Sequence, residues 1–408
     1  MPSDNSYSSI ALYSIILPLL LLPAFSFSQV DVINNGTFIK NTNDSVIILG
    51  NVTHALDGKI TNDGVFYISG NWKNNNPSDK IFTAGNNGWV HFDSSVQTIS
   101  GSTLTHFNNL NLAGTGIKHL TGVDVEIEDT LALTNREFEI GANTAFVLTT
   151  DTGAVTHTDT NGFVSSLDIG GLSRNTLYAS PYFFPVGSSA GSVRYRPIDI
   201  TPNEVAANSF KVRMANVDAT TEGFDLSVKE AIVGVSNPNF YHRIERTSGG
   251  SKADLTIYYR DTVDGDYDIV AHWKDLSEWK NTGLAPHTSR YGFRGLTAKA
   301  FDDFSGNPFV LSLNVELSSE VYVPTIFSPN GDGHNDIMFA RGKGIVEIHF
   351  VIYDRWGEKV FETDDINTGW DGTYKGQPLN LGVFVYFIQG KLKNGDEIKK
   401  KGNFTLLR

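Results

Sequence analysis

Residues 330–336 read Asn-Gly-Asp-Gly-His-Asn-Asp, which puts an oxygen-bearing group at every second position: the Asn330 amide, the Asp332 carboxylate, the backbone carbonyl of His334 and the Asp336 carboxylate. Hard cations take such a ring of oxygens, and Gly331 and Gly333 let the backbone curl round a centre. Asn330, Asp332, His334 and Asp336 are therefore candidate ligands for Ca2+, His334 through its carbonyl and not its imidazole. The same residue types also close β-loops through Asx-turns with no ion at all. An EF-hand needs a Glu at its twelfth position and none follows here, so a calcium loop of that class is excluded.

Elsewhere the chemistry is sparse. Ten histidines are scattered along the chain, with no His-Glu-x-x-His, no Gly-x-Ser-x-Gly and no Gly-rich phosphate loop. Asp124, Glu126, Glu128 and Asp129 could imitate the carboxylates of a β-helix polysaccharide lyase or hydrolase. Glu126 and Glu128, however, alternate onto one face of a strand, which equally describes a solvated surface, and paired carboxylates acquire a role only at a measured separation. No residue earns a catalytic assignment, and the chain leans away from being an enzyme. Trp356 and Trp370 invite a sugar-stacking role, but both lie at predicted strand ends, where the expectation is that Trp seals a core and Asp371-Gly372 makes a turn. His272, Trp273 and Trp279 are expected to pack structurally. Lys391, Lys393, Lys399, Lys400 and Lys401 flank the turn Asn394-Gly395-Asp396, either as a charged surface offered to a partner or as a solvated edge hairpin that resists aggregation.

The elements that must position these groups are strands. With 39 Gly, 12% aromatic residues and few runs of strong helix formers, the composition is that of an all-β chain. A length of 408 residues implies two or three domains. The absence of cysteine excludes a disulfide scaffold and a thiolate metal site. A formal charge of −13 argues against nucleic-acid binding, which needs a basic face. From Tyr322 onward eleven Lys/Arg balance eleven Asp/Glu, so the acidic excess lies upstream and a domain boundary is expected near residue 320.

Residues 10–27 form an apolar stretch broken by Pro18 and Pro23, read as a secretory signal peptide over residues 1–28 that leaves no membrane span after its removal. Residues 29–150 carry strand-sized apolar runs beginning at Val46, Val65, Trp89, Phe107, Val123 and Phe138, punctuated by Asn34-Asn35-Gly36, Asn62-Asp63-Gly64 and Asn86-Asn87-Gly88. Stacking such units would bury a continuous interior, so a parallel β-solenoid is preferred over an antiparallel sandwich. Residues 151–192 read as a cap and connection, 193–317 as a central β-sandwich, 318–322 as a linker and 323–408 as a further small β-domain.

That last region carries the most specific words: Ser328-Pro329-Asn330-Gly331-Asp332-Gly333, Asn335-Asp336, Arg355-Trp356-Gly357, Val360-Phe361, Trp370-Asp371-Gly372 and Gly382-Val383-Phe384. Together they resemble the gliding motility-associated C-terminal domain, or type B sorting domain, of cargo secreted by the type IX system of Bacteroidetes. The sequence departs from the family at Asn380, where proline is usual, and at His334, often apolar or small. The resemblance implies an immunoglobulin-like β-sandwich for the C-terminal fifth, a type IX secretion translocon as partner, and a secreted protein at the extracellular cell surface. Upstream, the expectation is a β-rich stalk or adhesion region without catalysis, whose ligand is a surface glycan or another surface protein. The alternative is a glycan-active enzyme or carbohydrate-binding protein using the solenoid face.

Overall fold

A computed structural model describes residues 30–77, 81–82, 87–274, 278–290, 292–315, 320–331, 335–392 and 395–407. The expected signal peptide lies outside the described residues. The fold is almost entirely β, and it divides into two units, one of residues 1–216, 242–259 and 300–306, the other of residues 217–241, 260–299 and 307–408.

The first unit opens with a parallel β-solenoid of about six turns. One sheet stacks Val32–Asn35, Val52–Ala55, Trp72–Asn75, Gln97–Gly101, Lys118–Thr121, Glu137–Glu139 and Phe163–Ser165. A second stacks Ser45–Ile48, Val65–Ile68, Trp89–Phe92, Thr105–Leu112, Val125–Ala132, Thr144–Val147 and Gly171–Thr176. In the early coils Phe38–Asn41 pairs in parallel with Lys59–Asn62 as a third, short face. Ile68, Phe92, Phe107, Leu110, Ile127, Leu131, Phe138 and Leu172 fill the interior, and removing this apolar area from water is the main force holding the coils together.

The interior also carries polar columns. Asn34, His54 and Asn74 stand in register on successive coils and all three are buried. On an exposed corner a side-chain ladder links the coils: the Asp31 carboxylate accepts the Asn51 N–H at 2.8 Å, the Asn51 amide oxygen accepts the Asn71 N–H at 2.8 Å, and Asn71 accepts the Thr98 N–H at 2.8 Å. These bonds span 20, 20 and 27 residues, so the coil length is written into which Asx side chain reaches which amide.

The parallel ladder continues past residue 150, through Phe163–Ser165 on one sheet and Gly171–Thr176 on the other. It changes character at Asn208–Ala215, which pairs antiparallel with Gly171–Thr176. A separate antiparallel sheet joins Tyr182–Phe184, Ile198–Pro202 and Ala253–Tyr259. Here Arg174 is buried, its guanidinium donating to the carbonyls of Phe183, Asp151 and Thr152 at 2.7, 2.8 and 3.1 Å. Burial pulls its pKa down to about 10, still cationic at neutral pH.

In the second unit Ile269–Lys274 pairs antiparallel with Glu278–Leu284 and with Ser305–Asn314. Trp273 and Trp279 meet edge to face at 5.4 Å, and His272 stacks on Phe309 at 4.3 Å; all four residues are buried and serve packing. The C-terminal part is a five-stranded sheet in the order Ile326–Phe327, Glu397–Leu406, Gly382–Leu392, Ile345–Tyr353, Lys359–Thr363. Its inner face is covered by the pair Glu320–Tyr322 and Arg341–Lys343 and by Met338 and Trp370, bridged to each other. Val321 belongs to this core, so structurally the domain includes part of the stretch read as a linker.

Candidate functional site

The C-terminal domain presents three local features on and around its five-stranded sheet. The first is the loop before Met338. Ser328 N–H donates to the Asn335 carbonyl at 3.1 Å, and the Asp336 carboxylate accepts the N–H groups of Asn330 and Gly331 at 3.0 and 2.7 Å. One Asp336 oxygen thus clamps the start of the loop from its end. Asn330 and Asp336 are brought together by this clamp, while Asp332 and His334 lie outside the described residues. Among the described residues no group of three or more His, Asp or Glu gathers in a way that could hold a metal ion.

The second feature is the hairpin tip between Ile345–Tyr353 and Lys359–Thr363. Asp354 accepts the N–H groups of Trp356 and Glu358 at 2.8 and 2.9 Å, and Gly357 takes φ +83°, a conformation that disfavours side chains. The clamp turns Trp356 outward: it is 80% exposed, with the Arg355 guanidinium 5.1 Å from its ring centroid. The expectation that Trp356 seals the core is corrected. Trp370 does seal it, 2% exposed, its indole N–H donating to the Thr373 carbonyl at 2.8 Å and its ring packed on Phe327, Phe384 and Phe404. Strand-end position is expected of both tryptophans, but Trp356 sits inside the Asp354 turn, whereas Trp370 pairs its backbone with Met338.

The third feature is the outer face of the sheet. Along Gly382–Leu392, Phe384, Tyr386 and Ile388 point into the core, so the alternating Val383 and Val385 point out and are exposed. Cross-strand neighbours continue this face through Thr405 to the exposed Ile326 and through Lys401, paired with Phe387. Lys399 and Lys401 border the apolar strip, while Lys400 reaches instead to the Val321 carbonyl. Lys393 and Asn394 lie outside the described residues. An exposed strip of β-branched side chains edged by lysines is a surface suited to a protein partner.

On the solenoid, His106 sits between two carboxylates, its Nδ1 3.0 Å from Glu126 and its Nε2 3.0 Å from Glu128. On the other sheet, His119 Nδ1 lies 2.8 Å from Glu139. Both contacts are partly exposed along the sheet surface, and His106 and Glu126 are register partners. Glu126 and Glu128 both face the one His106 imidazole, as cross-strand neighbours on a solvated face do.

These features converge with the comparison to known families. Residues 321–406 match the family model of the CHU_C Type IX secretion signal domain. The C-terminal region is a type IX sorting domain, and its start at residue 321 agrees with the burial of Val321. No curated protein matches the chain. The sorting domain marks a protein secreted by the type IX route, exported to the cell surface or the extracellular space, on which the secretion machinery acts. No helix among the described residues is long and apolar enough to cross a membrane.

Proposed function

We propose that this protein is a cell-surface adhesin or stalk, delivered by its C-terminal sorting domain and projecting its β-solenoid as a rigid, non-catalytic binding element. What supports delivery is the match over residues 321–406. What supports a stalk is the stacked solenoid, in which each coil contacts its neighbours and length is gained without a closed globular core. The secretion translocon docks on the outer sheet face of Val383, Val385 and Ile326, with Trp356 as an outlying contact. The upstream region engages a surface glycan or a surface protein.

Deleting residues 323–408 in a type IX-competent host is expected to leave the chain in the periplasm, read by fractionation with an antibody to the solenoid. Secretion of the truncated chain at the level of the full chain would sink the export reading. Adhesion is tested separately, by binding of the purified full chain to glycan arrays and to whole cells; turnover of a bound glycan would replace the stalk reading with an enzymatic one.

A further inference from the structure

We infer that the outer face of the second solenoid sheet binds a neutral saccharide chain, stacked on the aromatic strip of Tyr67, Trp89 and His91 and hydrogen-bonded at its rim by Asn111. The inference rests on the glycan arm of the proposed adhesion and deepens it, because it gives that arm a place, a ligand class and a charge preference.

The strip arises from strand alternation repeated in register. In Val65–Ile68, Phe66 and Ile68 are buried, and in Trp89–Phe92, Val90 and Phe92 are buried, so Val65, Tyr67, Trp89 and His91 stand on the opposite, outer face. All four are partly exposed. Parallel pairing then lines up Ile47, Tyr67, His91 and Asn111 on four successive coils. The Tyr67 and His91 ring centroids are 4.8 Å apart, and the Trp89 ring meets His91 edge-on at 5.8 Å. Three rings from two coils thus make one contiguous patch, with Ile47, 67% exposed, at one end and Asn111 at the other.

The polar edges of these rings are unused. The Asn111 Nδ2 lies 2.9 Å from His91 Nδ1, and an amide N–H only donates, so the neutral ring accepts at Nδ1 and carries its proton on Nε2. Burial holds the His91 pKa below 6.5 against the opposing pull of Asp93, which keeps the ring neutral at pH 7. Among the described residues the Trp89 indole N–H, the Tyr67 hydroxyl, His91 Nε2 and the Asn111 amide oxygen have no hydrogen-bond partner. A pyranose ring offers the complement. Its C–H bonds are weakly positive and pack on the negative face of an aromatic ring, while its hydroxyls, each both donor and acceptor, reach the groups at the ring edges. An apolar protein surface laid on the same strip would bury those edge groups without partners, which is unfavourable. The strip itself holds no formal charge, Asp93 acts on it from beside His91, and the chain carries −13, so an acidic polysaccharide is repelled and a neutral one is favoured.

Four of the six tryptophans are buried, Trp356 is 80% exposed and Trp89 is partly exposed, so in the full chain carrying Trp356→Ala an aqueous quencher such as acrylamide reaches chiefly Trp89. The probes are cellohexaose, laminarihexaose, mannohexaose and maltohexaose, with hexagalacturonate as the acidic comparison, each titrated with and without acrylamide. The expected result is that at least one neutral hexasaccharide binds saturably, shields the tryptophan fluorescence from quenching and binds at least about tenfold more weakly after Tyr67→Ala, while hexagalacturonate does not bind. Shielding is read in a chain whose aromatic strip is unaltered, so it decides the assignment even where Tyr67→Ala lowers the unfolding temperature. Failure of every neutral probe to bind, shielding by hexagalacturonate, undiminished binding by a folded Tyr67→Ala chain, or saturable binding that leaves Trp89 quenched overturns the assignment. The last of these leaves glycan adhesion standing at another place, and capture of whole cells by a chain that binds none of the probes leaves adhesion to a protein, so this site and the adhesion reading fail separately.

Discussion

Trp370 has its ring centroid 5.0 Å from that of Phe384 and 6.1 Å from that of Phe404, whereas Trp356 projects from the Asp354 turn into solvent. Truncating the first removes a large side chain from a packed core, and Trp370→Ala is expected to destabilise the domain by about 3–5 kcal/mol. Trp356→Ala is expected to change stability by less than about 0.5 kcal/mol yet to reduce secretion, because an exposed Trp beside Arg is a contact waiting for a partner. Thermal melts paired with export assays check both; equal melting losses in the two variants would show that exposure misreads Trp356. A second residue-scale consequence follows from His54. Its ring packs tilted against Trp72, the centroids 4.6 Å apart, and neither ring nitrogen has a hydrogen-bond partner among the described residues. Burial lowers its pKa from 6.5 to about 4, so the unfolded chain takes up the proton first as pH falls. Stability tied to His54 is complete above pH 6.5 and is lost as pH drops toward about 4, amounting to about 2 kcal/mol at pH 5. Hydrogen exchange of the solenoid amides at pH 7 and pH 5 is expected to reveal that loss in the natural chain and a smaller one in His54→Leu. His242, buried and likewise lowered to about 4, is present in both proteins and cancels in the comparison.

At the scale of elements, the solenoid shows why half of a repeat is easier to read than the whole. The runs at Val46, Val65, Trp89 and Phe107 are apolar and fall in one sheet, where their inward positions are Phe, Ile, Val and Leu. The facing sheet places Asn34, His54, Asn74, Gln97 and Lys118 inward, and a strand with polar residues at its buried positions reads in sequence as a loop. Lys118 is tolerated there because another coil satisfies it: its ammonium donates to the carbonyls of Ser94 and Ser95 and to the Gln97 amide oxygen at 2.8, 2.6 and 2.8 Å, partners some twenty residues distant that no local pattern announces. Charge clusters made by strand pairing are hidden for the same reason. Lys211 with Arg213 and Arg243 with Glu245 are visible as alternating charges, but only strand pairing brings the two sets together. Asn/Gly punctuation was legible as corners, and the structure adds their stacking. At Gly70 a Cβ would lie 2.4 Å from the backbone carbonyl of Gly50 on the preceding coil, while at Gly250 it would meet nothing within 4 Å. Gly70→Ala is therefore expected to destabilise the solenoid by more than about 2 kcal/mol, with Gly250→Ala close to neutral; denaturant unfolding of both variants measures the contrast, and a neutral Gly70→Ala would mean the coils can spread.

For the molecule as a whole, the division of labour rests on whether the sorting domain is a separable object. Its charge is balanced, eleven against eleven from residue 322, in a chain of net −13, and its buried cluster is drawn from Val321 through Leu406. The cluster includes Phe350, Ile352, Phe384, Ile388 and Phe404 around Trp370, enough aromatic and aliphatic area for a domain near the lower size at which chains fold without disulfides or metals. The Lys400 contact to the Val321 carbonyl ties its first strand to its last, so the two ends are held within the same fold. Residues 320–408 expressed alone are therefore expected to melt in one cooperative transition with dispersed amide signals, and to carry a fused reporter out of a type IX-competent cell. An unfolded fragment whose fusion stays in the periplasm would mean that the upstream strands supply part of the signal's core, and the address would then be read only in the context of its cargo.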